Sequence, residues 1–268
     1  MQEGGRMPRN KLPRRGGAPR ARMRALCLPL LLAVPVAAWA GRPFVTEDAC
    51  VSEKGEVSLE AGFETWETEE KGRDRVWVVV PAVGVGGGVE LFAEVPFVTL
   101  EGPRGESERG FGDLVLGAKV RLVREETGRP GLALRFAWKT HTADARMGLG
   151  TGDNDLSAVL GASKSRGRST LHLSVGFTRE GDHLNGAVRD YAFYGGALEA
   201  RLSERVQLCF EVQSSQNPER HLRENPTFAL VGLSLRAAEN LVLDLGYRRA
   251  LRGPGPRDAV LCGLSLCF

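Results

Sequence analysis

Asp258-Ala259-Val260-Leu261-Cys262-Gly263-Leu264-Ser265-Leu266-Cys267-Phe268 closes the chain, and Val260, Cys262, Leu264, Leu266 and Phe268 recur in it at strict two-residue spacing. In a β-strand successive side chains point to opposite faces, so this segment has one continuous apolar face ending in an aromatic residue. Outer-membrane β-barrels close on such a strand, with alternate residues facing lipid and their neighbours facing the lumen. Five alternating positions also suit an amphipathic edge strand of a soluble sandwich, and the rest of the chain discriminates between the two.

Working back from the end, residues 56–268 divide into short alternating segments punctuated by Gly, Pro, Asp and Asn, with no run at helical spacing. The pattern predicts twelve strands over 56–67, 75–85, 88–100, 112–124, 131–141, 155–165, 168–180, 189–202, 204–214, 226–237, 240–251 and 258–268. The fold class expected is therefore all-β, a single antiparallel transmembrane barrel. Its connections alternate in length. Gly86-Gly87, Arg166-Gly167, Ser203-Glu204 and Ala238-Glu239 are brief, whereas 102–110, 142–154 and 215–225 are long. Short periplasmic turns opposite long extracellular loops are the barrel arrangement. Charge keeps to one face: Leu132, Leu134, Phe136 and Trp138 oppose Arg135 and Lys139, and Leu241, Leu243, Leu245 and Tyr247 oppose Asp244 and Arg248. Two features fit less well. The segment around Pro81 is apolar on both faces, which predicts an irregularity there because proline cannot donate to the ladder. Aromatic residues at 7% make thin interfacial girdles.

The start of the chain supplies an address. Arg14, Arg15, Arg20, Arg22 and Arg24 precede an apolar run from Leu26 to Ala37, and Ala38-Trp39-Ala40 follows. This reads as a signal peptide over 1–40 with cleavage after Ala40, the run being too short for a spanning helix and interrupted by Pro29 and Pro35. Met7 and Met23 are alternative starts. The first 40 residues carry eight of the 36 basic and one of the 33 acidic residues, so their removal turns a net charge of +3 into −4. The mature chain has no compositional case for nucleic acid. Residues 41–55 are expected as a periplasmic segment preceding a barrel over 56–268, placing the protein in the outer membrane of a Gram-negative bacterium.

Residues 42–49, Arg-Pro-Phe-Val-Thr-Glu-Asp-Ala, with Lys54-Gly55-Glu56 and the strand after it, resemble the outer-membrane protein family associated with the meta-cleavage pathway of phenol degradation. Gly110-Phe111-Gly112-Asp113, the Gly-rich stretch Gly148-Leu149-Gly150-Thr151-Gly152-Asp153 and the strand Leu171 to Phe177 are similar to further segments of that family. The resemblance departs at Lys139-Thr140-His141-Thr142-Ala143, where the family tends to Lys-Leu-Pro-Thr-Gly. It implies a barrel that serves as a channel or uptake protein for small molecules, aromatic or otherwise hydrophobic, with no cofactor.

The candidate lumen-lining residues are Glu60, Glu64, Glu90 and Glu94 on an acidic wall, Lys119, Arg121, Arg135 and Lys139 on a basic one, and His172 and Glu211. Two readings stand: the walls neutralise each other and plug a narrow interior, or they set a transverse field across a water-filled pore. His172-Leu173-Ser174 has the His-x-Ser spacing of the outer-membrane phospholipases, which put base and nucleophile side by side. Leu171, Leu173, Val175 and Phe177 claim the lipid face, however, so His172 and Ser174 should face the lumen as an ordinary polar pair. Asp153, Asn154 and Asp155 offer oxygen ligands or turn chemistry, and Gly84-Val85-Gly86-Gly87-Gly88 reads as a hairpin turn without the Lys of a phosphate loop. Cys50, Cys209, Cys262 and Cys267 have neither zinc nor redox-motif spacing, and a Cys50–Cys267 bridge is a candidate if the first and last strands meet. Expected partners are outer-membrane lipid, a small-molecule solute, and the barrel-assembly machinery acting on the strand that ends in Phe268. A barrel enzyme, an adhesive or structural barrel and a soluble β-sandwich are the alternatives.

Overall fold

The computed structural model describes residues 42–68, 70–181 and 188–268; the signal segment and the alternative starts lie outside them. Its strands are β1 (Val57–Glu67), β2 (Arg73–Gly86), β3 (Val89–Glu101), β4 (Ser107–Phe111), β5 (Val115–Val123), β6 (Gly131–Lys139), β7 (Asp155–Arg166), β8 (Ser169–Arg179), β9 (Tyr191–Arg201), β10 (Val206–Ser215), β11 (Thr227–Ala238), β12 (Leu241–Arg252) and β13 (Asp258–Cys267). Neighbouring strands pair antiparallel, with β4 and β5 both pairing with β3, and β1 pairs with β13 from Ser58↔Cys267 to Trp66↔Ala259, so the sheet closes on itself. Closure leaves no unpaired edge in a solvent that cannot hydrogen-bond to one.

Strands β4 and β5 are two parts of one stave, giving twelve around the barrel: β3 pairs with β4 from Phe97↔Phe111 and with β5 up to Glu94↔Val115. Between these pairs, residues 112–114 oppose only 95–96, one residue too many, which makes a β-bulge. Pro96, which has no N–H to contribute, lies at the bulge, and its carbonyl still accepts from Gly112 N at 2.9 Å. The sequence predicts an unbroken strand over 112–124; the bulge instead turns Asp113 inward. Around Pro81 the register holds, from Val79↔Val95 to Ala82↔Phe92, and the shift falls at Gly84/Gly86, beside three successive positive-φ glycines, 86 to 88, that form the turn.

The two faces separate as alternation requires. Along β8, Leu171, Leu173, Val175 and Phe177 are exposed while His172, Ser174 and Thr178 are buried; along β12, Leu243, Leu245 and Tyr247 are exposed while Asp244 and Arg248 are buried. An apolar outer surface this extensive is unstable in water and matches lipid. The doubly apolar β2 serves both sides. Trp77, Val79, Val83 and Val85 face outward, and Val78, Val80 and Ala82 pack inward against Phe92 and Val115.

Candidate functional site: the segment and cavity inside the barrel

Residues 42–53 run inside the barrel, whereas the sequence alone led to a periplasmic segment over 41–55. The path is pinned at every step. Arg42 donates to Asp244 on β12 at 2.9 Å and to the carbonyl of Cys262 on β13 at 2.6 Å. Val45 and Thr46 donate backbone N–H groups to the Glu211 carboxylate on β10, and the Thr46 hydroxyl adds a third donor at 2.6 Å. Ala49 N donates to Ser163 Oγ on β7 at 2.8 Å, Ser52 donates through N and Oγ to Glu90 on β3, and Arg121 on β5 donates to the Val51 carbonyl. Phe44 packs on Ala197 and Cys209, and Ala49 and Val51 on Ala133.

Glycines make the room. A Cβ added at Gly161 would stand 2.6 Å from the Asp48 carbonyl, one at Gly195 2.5 Å from Thr46 Oγ1, and one at Gly232 2.6 Å from Pro43 Cγ; Gly263 and Gly84 are closed off in the same way by Arg42 and Glu53. Mid-strand glycine weakens a sheet and marks close approach by another backbone. Together these positions form a groove on the lumenal wall.

The charge arrangement explains why the segment belongs there. Lys119 and Arg135 are direct cross-strand partners on β5 and β6, both almost fully buried, and like charges so placed repel. Glu47, fully buried, enters between them at 2.6 Å from Lys119 Nζ and 3.6 Å from Arg135 Nε. Asp48 adds a second contact to Lys119 at 2.6 Å, and Glu94 pairs with Arg135 from the wall. Elsewhere Glu64 pairs with Arg248, Arg121 with Glu53, and Lys139 with Asp155 at 2.8 Å and Asp113 at 3.3 Å. Thus the two walls do not simply neutralise each other: the counter-charges of Lys119 and Arg121 come from the N-terminal segment, and those of Lys139 from the bulge and β7. At the periplasmic rim the Arg121 and Arg124 guanidiniums hold the exposed Glu53 carboxyl below its ordinary range.

A cavity of about 320 Å3 remains between the segment and the wall of β1 to β3, lined by Glu47, Cys50, Ser52, Glu60, Val80 and Phe92 among others. Cys50 and Cys267 both border it as free thiols, so the candidate bridge is not formed. His172 lies on the inner face beneath Phe44, ring centroids 5.9 Å apart. Its Nδ1 is 2.8 Å from Ser163 Oγ on the paired strand, and Ser163 is already engaged by Ala49 N. The nearest arrangement to a base and nucleophile therefore involves Ser163 rather than Ser174, and it is covered by the segment.

At the opposite end the two Gly-rich motifs meet. Asp113, buried by the bulge, accepts N–H groups from Ala143 and Thr151, each at 3.0 Å, and Gly150 packs so tightly on its carboxylate that a Cβ would approach to 2.6 Å. This folds the 140–154 loop inward over the lumen. Asp153, Asn154 and Asp155 are used in that fold: Asn154 N bonds to Asp153 Oδ1, Trp138 Nε1 to Asn154 Oδ1, and Asp155 pairs with Lys139. Replacing Asp113 by Ala is expected to cost the loop about 1–3 kcal/mol, since two buried donors lose their acceptor. Protease cleavage within 143–151 should accelerate while the barrel stays folded, and unchanged cleavage would show that Asp113 does not hold the loop.

A closed, even-stranded antiparallel barrel with an apolar exterior, a polar interior and its last strand ending beside the short turns is an outer-membrane β-barrel of Gram-negative type. The sequence matches, over residues 40–253, the family described as "Putative MetA-pathway of phenol degradation", and the chain belongs to that family. Among solved structures it is similar to an outer membrane channel from Pseudomonas putida F1, at 13% identity and TM-score 0.62, covering 82% of this chain and 97% of that one. It is also similar to the NanC porin (9% identity, TM-score 0.55, 78% and 98% covered) and to the KdgM porin in complex with oligogalacturonate (11%, 0.53, 79% and 99%). At these identities the likeness is one of fold. No curated protein matches the sequence.

Proposed function

We propose that this barrel is a passive uptake channel for small molecules, aromatic or largely apolar, whose lumen is gated by its own N-terminal segment. The observation that carries this reading is the cavity of about 320 Å3 left inside a closed barrel beside a segment held by hydrogen bonds, ion pairs and a few apolar contacts. A purely structural barrel gains nothing from an interior that is hollow and filled by a separable strap. That the Pseudomonas relative in fold is a channel, and that the family is described by phenol degradation, supports the same reading. Catalysis is not part of it: His172 and Ser163 are buried under residues 44–49 and face away from lipid substrate. The lumenal placement proposed for Glu60, Glu64, Glu90, Glu94, Lys119, Arg121, Arg135, Lys139, His172 and Glu211 makes them the pore lining. Export would remove residues 1–40, leaving the new terminus next to Arg42, and β13 with Phe268 would present the recognition strand to the assembly machinery.

Refolded protein in planar bilayers and in swelling liposomes tests the proposal, with a panel of neutral, anionic and cationic aromatic solutes. Solute flux above protein-free vesicles is expected. A folded barrel that passes no solute, with the segment docked or released, removes the channel; lipid hydrolysis abolished by Ser163→Ala or Ser174→Ala would install the enzyme reading in its place.

A further inference from the structure

We infer that the lumenal cavity is a binding site for a small organic cation, an ammonium group carried on an apolar or aromatic body. The cavity is bordered by Glu56, Glu60, Glu90 and Glu94 from the wall and by Glu47 and Asp48 from the segment, against Lys119 and Arg135 as the cations. Both cations are committed: Lys119 to Glu47 and Asp48, Arg135 to Glu47 and Glu94. Glu56, Glu60 and Glu90 form no ion pair among the described residues.

Two carboxylate oxygens mark where a donor is wanted. Glu94 is fully buried and its Oε2 has no hydrogen-bond partner, and Oε2 of Glu60 is likewise shielded from solvent without one. Glu60 has Val80 and Ser265 as its cross-strand partners and makes no direct ion pair among the described residues; Arg42 and Lys119 act on it through space. Burying acceptors unsatisfied costs free energy that a bound ammonium, which has three donors and no acceptor, would offset.

The apolar part of the same wall decides the rest of the ligand. Val80, Ala82 and Phe92 supply an apolar strip interleaved with the carboxylates, Val80 directly across from Glu60 and Phe92 between Glu90 and Glu94, with the Arg135 guanidinium 4.1 Å over the Phe92 ring. A hydrated metal ion leaves that surface in contact with water, whereas an aryl or alkyl body covers it. The volume falls at the lower end of small-ligand pockets, and the lining is mainly charged and polar with a smaller apolar strip of Val51, Val80, Ala82 and Phe92. The inference rests on the channel reading only for the ligand's route, since binding at the site does not require passage.

Isothermal titration of the full barrel in micelles with benzylammonium, benzyl alcohol and benzoate, at equal ionic strength, tests it. Saturable benzylammonium binding, at least about tenfold tighter than benzyl alcohol and with benzoate silent, is expected. Glu60→Gln, nearly isosteric, should weaken it about tenfold or more, and Glu90→Gln, which keeps an acceptor for Ser52, should weaken it as well. Equal binding of the three probes, indifference to both substitutions, or binding of calcium with benzylammonium silent overturns the inference. Flux in liposomes is read separately: binding without flux retains the site and removes the channel, and flux with unselective binding does the reverse.

Discussion

Replacing Glu47 by Ala is expected to release the N-terminal segment from the lumen. Glu47 is the fully buried carboxylate shared by Lys119 and Arg135, which oppose each other across β5 and β6 and repel once it is gone. Asp48 still pairs with Lys119 and Glu94 with Arg135, so the cost is about 1–3 kcal/mol, below the roughly 3–5 kcal/mol of stranding a buried charge outright. The barrel ladder does not depend on this contact, so the loss should fall on docking. Backbone amides of 45–52 should exchange faster by about tenfold or more, and single-channel conductance should rise. The double substitution Glu47→Ala with Lys119→Met, set against each single change, isolates the coupling between the two residues. Unchanged exchange over 45–52 in Glu47→Ala would mean that the hydrogen bonds to Glu211, Ser163 and Glu90 suffice to hold the segment.

Arginine in place of Leu173 is expected to destabilise the barrel by about 2–4 kcal/mol, the cost of a cation on the lipid face near midplane. Leu173 lies at the centre of β8, half exposed, with Ala162 and Gly196 as its cross-strand partners and no charge on its face to receive a guanidinium. The measurement is urea unfolding of protein folded into phospholipid vesicles. In a soluble sandwich the same exposed position would tolerate arginine to within about 0.5 kcal/mol. Leu171→Arg, two residues nearer the periplasmic turn, should cost less because a long side chain there reaches the interface. Equal and negligible effects at both positions would contradict a lipid-facing wall.

Much of this architecture was legible from residue order because a barrel wall is a local property repeated. Period-two alternation set which side chains face lipid in β8, β10, β12 and β13, and Gly, Pro and Asn clusters set the turns, so twelve staves and their alternating loops followed without tertiary information. The stave 107–123 was misread because a bulge depends on its neighbour: Pro96 lies on β3, and the N–H groups that donate to Asp113 lie in the 140–154 loop. The mid-strand glycines 161, 195, 232 and 263 were a visible signal that went unused. Each weakens its strand locally, and what compensates, a second backbone pressed against it, comes from residues more than a hundred positions away in every case.

The sequence by itself determined a barrel, its faces, its family and the chemical types that line its lumen, since those rest on alternation and short motifs. Only the tertiary structure decided the partners of those charges. Residues 42–53 carry no periodicity that places them inside, and Glu47, Asp48 and Arg42 look like solvated charges in a terminal segment. Their position follows from closure of the barrel, which sets Lys119 beside Arg135 and Asp244 beneath the groove, and a buried charge takes whichever opposite charge the fold can bring to it.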